Sequence, residues 1–433
     1  MTPLTVGIIG ICMLLVLLFS RMPIGFVMGL VGFAGFAYLA GLEGGLGVLR
    51  TVVYSTFADY NLSVIPLFIL MGSFCFFAGL SKDLYDTVHS WLGQLRGGLA
   101  MATVGACAGF AAISGSSLAT AATMGTVALP EMKRYKYDDR LATGAVAAGG
   151  TIGILIPPSI ILILYGIITE QSIGRLFLAG FIPGVLEAVF YMVTIYLLCK
   201  SNPLMGPPGP RTSFLGKITS LKTSWIVLAL FVLVIGGIYL GVFSPTEAAG
   251  VGAFGAFVFG LARKRLGWQA FKNSLVDTGK TTAMVFIIIL GAMVLGYFLA
   301  VSRIPFELAD SVSALVVNRY VILVIILLVY LVLGCVMDSM AIMLLITPIF
   351  FPLAMSLGFN PIWFGILITR VTEIGLITPP VGLNVYIIRG VAKDVSMQTI
   401  FRGIIPFIIA DVCHVALLIA LPQISLFLPG FMK

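Results

Sequence analysis

Displaced by 222 residues, the chain overlays itself at its prolines: Pro23 falls on Pro245, Pro130 on Pro352, and Pro157-Pro158 on Pro379-Pro380. Around the paired prolines, Gly153-Ile154-Leu155-Ile156 lies over Gly375-Leu376-Ile377-Thr378. Gly180-Phe181-Ile182-Pro183 meets Gly403-Ile404-Ile405-Pro406 across a one-residue gap. Apolar helices resemble one another by chance because they draw on few residue types. Structure-breaking prolines held in one register across half a chain are a stronger constraint. A duplicated membrane chain interrupted at matching places has the pattern of a secondary transporter.

Composition agrees with a membrane chain. Hydrophobic residues make up 60% and charged residues 10% of 433 positions, with mean hydropathy +1.13. That leaves too little polar surface to cover a water-exposed globule. Apolar runs of about 17 to 25 residues recur, the length a helix needs to cross a bilayer. The net charge of +8 does not indicate nucleic acid, because the basic residues lie in short loops between apolar runs and form no single patch. Cys12, Cys75, Cys107, Cys199, Cys335 and Cys413 all fall in apolar stretches without a C-x-x-C pair. They read as small buried hydrophobes, with no disulfide or metal framework. The first apolar stretch lacks a basic leader and an A-x-A site, so it reads as a retained helix.

An all-α polytopic fold follows, with spans at 4–20, 24–40, 61–80, 141–169, 177–199, 223–240, 245–262, 281–300, 361–388 and 404–428. Two further stretches, 97–131 and 320–357, carry a polar interruption at mid-length: Ser114-Gly115-Ser116-Ser117 in one, Asp338-Ser339 in the other. They read as re-entrant helical hairpins, whose irregular tips are tolerable only when buried in protein or lining a cavity. The expected domains are a first repeat over 1–200, a cytoplasmic linker over 201–222 and a second repeat over 223–433. Stretches 43–60, 82–96, 263–280 and 303–319 are partly amphipathic and suit helices lying along the interface, against lipid.

Five crossings per half is an odd number, so the second half enters the membrane upside down. Of 25 Lys and Arg, 19 then fall on the cytoplasmic side and 5 outside, with Arg370 inside a span. That bias places both termini outside.

The breaks carry the candidate chemistry. A proline lacks an N–H and pushes the residue before it out of helical geometry, so the chain unwinds at 153–158 and 375–380. Unwound carbonyls beside a hydroxyl-bearing tip make a site for a coupling sodium ion, and new helix N-termini suit an anionic substrate. The candidate sodium ligands in the first half are Ser114, Gly115, Ser116, Ser117, Gly153, Ile156 and Pro157. In the second half they are Gly334, Asp338, Ser339, Gly375, Thr378 and Pro379, with Thr378 placed to cap the following helix. Candidate substrate contacts are Thr120, Ser159, Glu373 and Asn384. No other cofactor or metal is expected, and no enzymatic constellation such as H-E-x-x-H is present.

Plainer readings stand beside these. Small residues at the tips also suit close helix packing, and paired prolines also end ordinary helices. Asp338 is a carboxylate in a membrane stretch, functional by default. Arg370 and Glu373, three apart on one helix, either neutralise each other or meet substrate. Asn384 bonds substrate or a neighbouring helix, and His414 packs or faces lipid. Gly279-Lys280-Thr281 has Ser274 where a phosphate loop needs Gly, which rules that motif out.

Ser114-Gly115-Ser116-Ser117-Leu118-Ala119-Thr120, Gly153-Ile154-Leu155-Ile156-Pro157-Pro158-Ser159 and Glu373-Ile374-Gly375-Leu376-Ile377-Thr378-Pro379-Pro380-Val381-Gly382-Leu383-Asn384 resemble the large membrane subunit of tripartite ATP-independent periplasmic (TRAP) transporters. The resemblance runs from Pro23-Ile24-Gly25 to the last span. It implies an elevator-type, sodium-driven importer in the bacterial inner membrane. It also implies two partners, a small four-helix membrane subunit on a separate chain and a periplasmic substrate-binding protein. The implied cargo is an organic anion such as a C4-dicarboxylate, another organic acid or a sialic acid. The alternative is a sodium–dicarboxylate symporter that needs no binding protein; the Ser-Asn-Thr tip motif of such proteins is absent from both hairpins.

Overall fold

A computed structural model describes residues 1–20, 22–209, 212–313 and 317–432, and among the described residues every regular element is helical. The first half holds α1 (Pro3–Phe19), α2 (Ile24–Ala40), α3 (Leu42–Ala58), α4 (Val64–Phe77), α5 (Leu80–Leu92), α6 (Gly98–Ser114), α7 (Ser117–Arg134), α8 (Asp139–Thr151), α9 (Ile160–Ile168) and α10 (Ile173–Ser201). The second holds α11 (Phe214–Tyr239), α12 (Pro245–Ala262), α13 (Trp268–Ser302), α14 (Ile304–Ser313), α15 (Arg319–Gly334), α16 (Ser339–Ser356), α17 (Pro361–Ile377), α18 (Leu383–Val391), α19 (Met397–Ala420) and the short α20 (Gln423–Leu426).

Local chemistry sets these boundaries. Ser116, Asp338, Ser159 and Ser244 each stand at a helix N-cap and accept a backbone N–H from the first turn, satisfying a donor the helix leaves free. Ser244 and Glu247 complete a capping box at α12. Gly115 turns the chain at φ 58°, in the left-handed region that glycine enters without a Cβ penalty. Both interruptions are therefore hairpin tips, α6–α7 and α15–α16, as the sequence suggests.

Several boundaries differ from the sequence reading. Stretch 263–280 forms no separate interface helix: from Trp268 onward it runs without a break into the apolar span as α13, 35 residues long. Its one interior glycine before the span, Gly279, is tolerated in a helix. Span 404–428 stops at Ala420, because Pro422 cannot continue it. The linker narrows, since α10 reaches Ser201 and α11 begins at Phe214. It is also pinned: Gly97 N–H donates to Gly206 O at 2.8 Å, Gly209 N–H to Gly93 O at 2.8 Å, and Asp138 N–H to Met205 O at 3.0 Å. Of stretch 303–319, residues 304–313 are helical and 314–316 lie outside the described residues. One hairpin arm, α16, is by itself long and apolar enough to cross a bilayer, so arm length alone does not make that hairpin re-entrant.

The two halves interleave reciprocally. α7 packs on α18 and α16 on α9, so the second arm of each hairpin rests on the other half's helix beyond the break. α8 packs on α19 and α17 on α10 in the same exchanged way. The α8–α19 crossing is glycine-to-backbone: a Cβ on Gly403 would lie 2.0 Å from Arg140 O. Around this core, α2 lies along α13, and a Cβ on Gly291 would meet Gly25 O at 2.1 Å. Among the described residues, seven helices meet the length and apolarity of membrane spans.

Candidate transport site

Both breaks form where the prolines require them. α8 gives way to a 3-10 turn at Ile152–Ile154 and an irregular segment before α9, and α17 gives way at Thr378 before α18. Each tip touches its own half's break. A Cβ on Gly115 would lie 3.1 Å from Pro158 O, and Gly382 N–H donates to Cys335 O at 3.2 Å. Gly334 and Gly375 bring α15 and α17 into backbone contact, a Cβ on Gly375 falling 2.5 Å from Gly334 Cα. In the first half, Ser114 and Thr120 hydroxyls meet at 2.9 Å, and Thr120 also donates to Ser116 O at 2.8 Å. Gly153 sits beside them: a Cβ there would be 3.5 Å from Thr120 Oγ1.

The two tips converge on one side chain. Glu373, fully buried on α17, accepts Ser117 Oγ–H at 2.5 Å on Oε2 and Ser339 Oγ–H at 2.6 Å on Oε1. Ser117 opens α7 and Ser339 opens α16, so one carboxylate ties together the two hairpins. Arg370 does not neutralise it, and the two form no ion pair. Arg370 instead reaches Glu187 on α10 and Asp411 on α19. The sequence reading missed both partners.

Other expected residues are placed differently from the simplest reading. Thr378 does not cap α18; its hydroxyl turns back to Ile374 O at 2.6 Å, and Gly382 takes the cap position. Its N–H closes on Gly375 O at 3.0 Å, which occupies one lone pair of that carbonyl. Asp338 caps α16 through Met340 N–H at 3.0 Å, and Ser159 caps α9 through Leu162 N–H at 3.2 Å. Asn384 donates to Ala147 O at 3.2 Å, on a helix of the other half, and its Oδ1 has no partner. Ile156 and Pro157 are buried, whereas Pro379 and Pro380 are exposed. His414 is buried against Phe190, ring centroids 5.6 Å apart, so it packs and does not face lipid. Cys12 and Cys413 are exposed, against the expectation of burial, because each lies on an outward helix face. No group of three or more His, Cys, Asp or Glu able to hold a metal occurs among the described residues.

The family model "Tripartite ATP-independent periplasmic transporter, DctM component" matches residues 11–424. The chain belongs to the DctM family of TRAP transporter large permeases. It is 38% identical over 385 residues to the C4-dicarboxylate TRAP transporter large permease of Pseudomonas aeruginosa, covering 89% of this chain and 90% of that one. It is 35% identical to the sialic acid TRAP transporter large permease of Vibrio cholerae, covering 95% and 96%. The isethionate TRAP transporter permease DctMQ of Oleidesulfovibrio alaskensis is 32% identical over 94% of this chain, which spans 64% of that protein. The YdaH transporter of Alcanivorax borkumensis shares the fold with TM-score 0.65 at 17% identity, covering 89% of this chain and 90% of that one. DctM-family chains are multi-pass membrane transporters and not enzymes, and this chain is one of them.

Proposed function

We propose that this chain is the large permease of a sodium-coupled TRAP importer of organic anions in the bacterial inner membrane. In this reading a periplasmic binding protein delivers the cargo and a small membrane subunit accompanies the permease. The observation that carries it is the shared carboxylate: Ser117 and Ser339, one from each tip, both donate to buried Glu373. A buried carboxylate without a guanidinium or ammonium partner is balanced by a bound cation or by a proton, and its two oxygens here already accept from hydroxyls of both tips. The surrounding donors are hydroxyls, carbonyls and carboxylates, the hard oxygens that suit sodium. The ligands we assign are Ser114, Gly115, Ser116, Ser117, Gly153, Ile156 and Pro157 in one half, and Gly334, Asp338, Ser339, Gly375, Thr378 and Pro379 in the other. The exchanged packing of α7 on α18 and α16 on α9 supports two related repeats, and the odd number of crossings per half with the Lys and Arg bias supports their inversion and both termini outside. Alternating access would then follow from movement of the hairpin core. Relatives named for C4-dicarboxylate, sialic acid and isethionate transport support an anionic cargo.

The test is uptake into proteoliposomes holding this chain with its small subunit and binding protein. A sodium gradient alone should drive uptake of a C4-dicarboxylate or sialic acid without ATP. Glu373→Gln offers one acceptor oxygen to two donors and should raise the sodium concentration for half-maximal uptake at least about tenfold, about 1.4 kcal/mol. Sodium-independent uptake would overturn the coupling. Equal uptake without the binding protein would favour a self-sufficient symporter.

A further inference from the structure

A second buried charge cluster lies where α8, α10, α17 and α19 meet, and it is unbalanced. Arg370 stands between Glu187 and Asp411, all three fully buried, so two carboxylates share one guanidinium. Its Nη2 donates to Asp411 Oδ1 and, at 3.1 Å, to Tyr191 Oη. Its Nη1 lies 3.1 Å from Glu187 Oε1 but makes no aligned hydrogen bond. Thr151 offers little more. Its single hydroxyl proton has a 2.7 Å partner in Ala148 O, and the 3.3 Å contact to Glu187 Oε1 is left without a donor. Tyr191 Oη stands 3.2 Å from Thr151 Oγ1, and Glu187 Oε2 has no partner at all. Each carboxylate thus has one oxygen without a partner, Asp411 Oδ2 and Glu187 Oε2, but only Asp411 receives an aligned hydrogen bond from the guanidinium. His414, also on α19, has both ring nitrogens unpartnered and provides no second cation in this arrangement.

An unmatched carboxylate at membrane depth is heavily disfavoured. The positive charge that corrects it has little choice of form. A metal ion shared by Glu187 and Asp411 would have to sit beside the guanidinium already lodged between them, against its charge. A proton needs no such room, and on Glu187 it supplies the donor that the Thr151 contact lacks.

We propose that Glu187 carries a resident proton, making the Glu187–Arg370–Asp411 cluster a neutral proton-binding site distinct from the carboxylate shared by the hairpin tips. The proposal is independent of the sodium reading, because no tip residue enters it. Gly180 and Gly184 on α10 pack against the first break, so the helix carrying the proton is also the one that seats that break.

Infrared spectroscopy of the purified chain in lipid nanodiscs tests this directly. The wild type should show the carbonyl stretch of a neutral carboxylic acid, shifting down in heavy water, and Glu187→Gln should abolish that band. Glu373→Gln should leave it in place. Because Gln mimics the neutral acid in shape, Glu187→Gln should melt within about 3 °C of wild type and keep uptake within about threefold. A band lost in Asp411→Asn but kept in Glu187→Gln would move the proton to Asp411 and overturn the assignment. A wild-type spectrum identical to those of both Glu187→Gln and Asp411→Asn would mean an ionised cluster and overturn the site itself.

Discussion

The two breaks are alike in sequence and unlike in surroundings. From Thr151 to Tyr165 every residue of the first is buried, whereas Pro379 and Pro380 in the second are exposed. The cover over the first comes from α10. Gly180 and Gly184 bring that helix so close that an added Cβ would lie 2.4 Å from Leu155 O and 2.7 Å from the Ile156 side chain. The matching glycine of the second half, Gly403, faces elsewhere and meets Arg140 O across the α8–α19 crossing. Duplication thus places the prolines, and whether the following long helix turns its glycine onto its own half's break, as α10 does and α19 does not, decides which break is closed over. A buried break is held by its neighbours; an exposed one is open to the surroundings.

The sharpest test of that contrast replaces each proline pair by alanines. Helix continuation becomes favourable by up to about 3 kcal/mol per proline, so carbonyls at either break turn to backbone N–H groups. Uptake and the sodium-dependent rise in melting temperature should be lost in both variants. Without sodium, only Pro157→Ala/Pro158→Ala should melt lower than wild type, because its missing ring atoms leave a void in a packed interior. Equal melting of the two variants would erase the distinction between a held break and an open one.

A smaller effect is expected at the cover itself. Gly180→Ala drives a methyl group into Leu155 O and should cost about 1–3 kcal/mol in stability, measured by denaturant unfolding in detergent. Gly390→Ala, near the C-terminal end of α18, meets nothing within 4 Å. It should be neutral or stabilise by about 1 kcal/mol. Similar losses at both glycines would mean that the close approach of α10 to Leu155 is not what sets the cost at Gly180.

The smallest expected difference lies where the halves meet. Ser117→Ala and Ser339→Ala each remove one charge-assisted hydrogen bond to Glu373, worth about 1.5–3 kcal/mol. Each should raise the half-saturating sodium concentration by about tenfold or more, and by similar amounts. A shift in only one would show that the shared carboxylate serves a single half.

The parts of the site legible in the sequence are those written in unusual residues. Prolines cannot hide in a helix, and Ser114-Gly115-Ser116-Ser117 interrupts an apolar run, so breaks and tips were readable. Glu373 was also visible as a charge in a membrane stretch, but its partners were not, since Ser117 stands 256 positions away. The Arg370 cluster failed for the same reason. Three positions suggested Glu373 as its partner, whereas its true partners come from α10 and α19 through tertiary packing. A signal existed: Glu187 and Asp411 are lone carboxylates in apolar runs, a pattern that deserves a partner search. The unequal burial of the two breaks has only a partial local signature: Gly180 matches Gly403, but the second covering glycine, Gly184, falls on Phe407.

The length of α13 has a mechanical consequence. Its 35 residues measure about 52 Å, of which the uncharged stretch after Lys280 accounts for about 33 Å. The hydrocarbon layer is about 30 Å thick, so α13 is too long for one upright crossing. Its first turns are held, not free: Phe271 stacks on Phe74 of α4, ring centroids 5.9 Å apart, and packs on Phe257 of α12 at 5.7 Å. Ser73 of α4 also donates to Asp277 at 2.8 Å. A change in the tilt of α13, the ordinary response of a long helix to thinner lipid, would be passed through these contacts to α4 and α12.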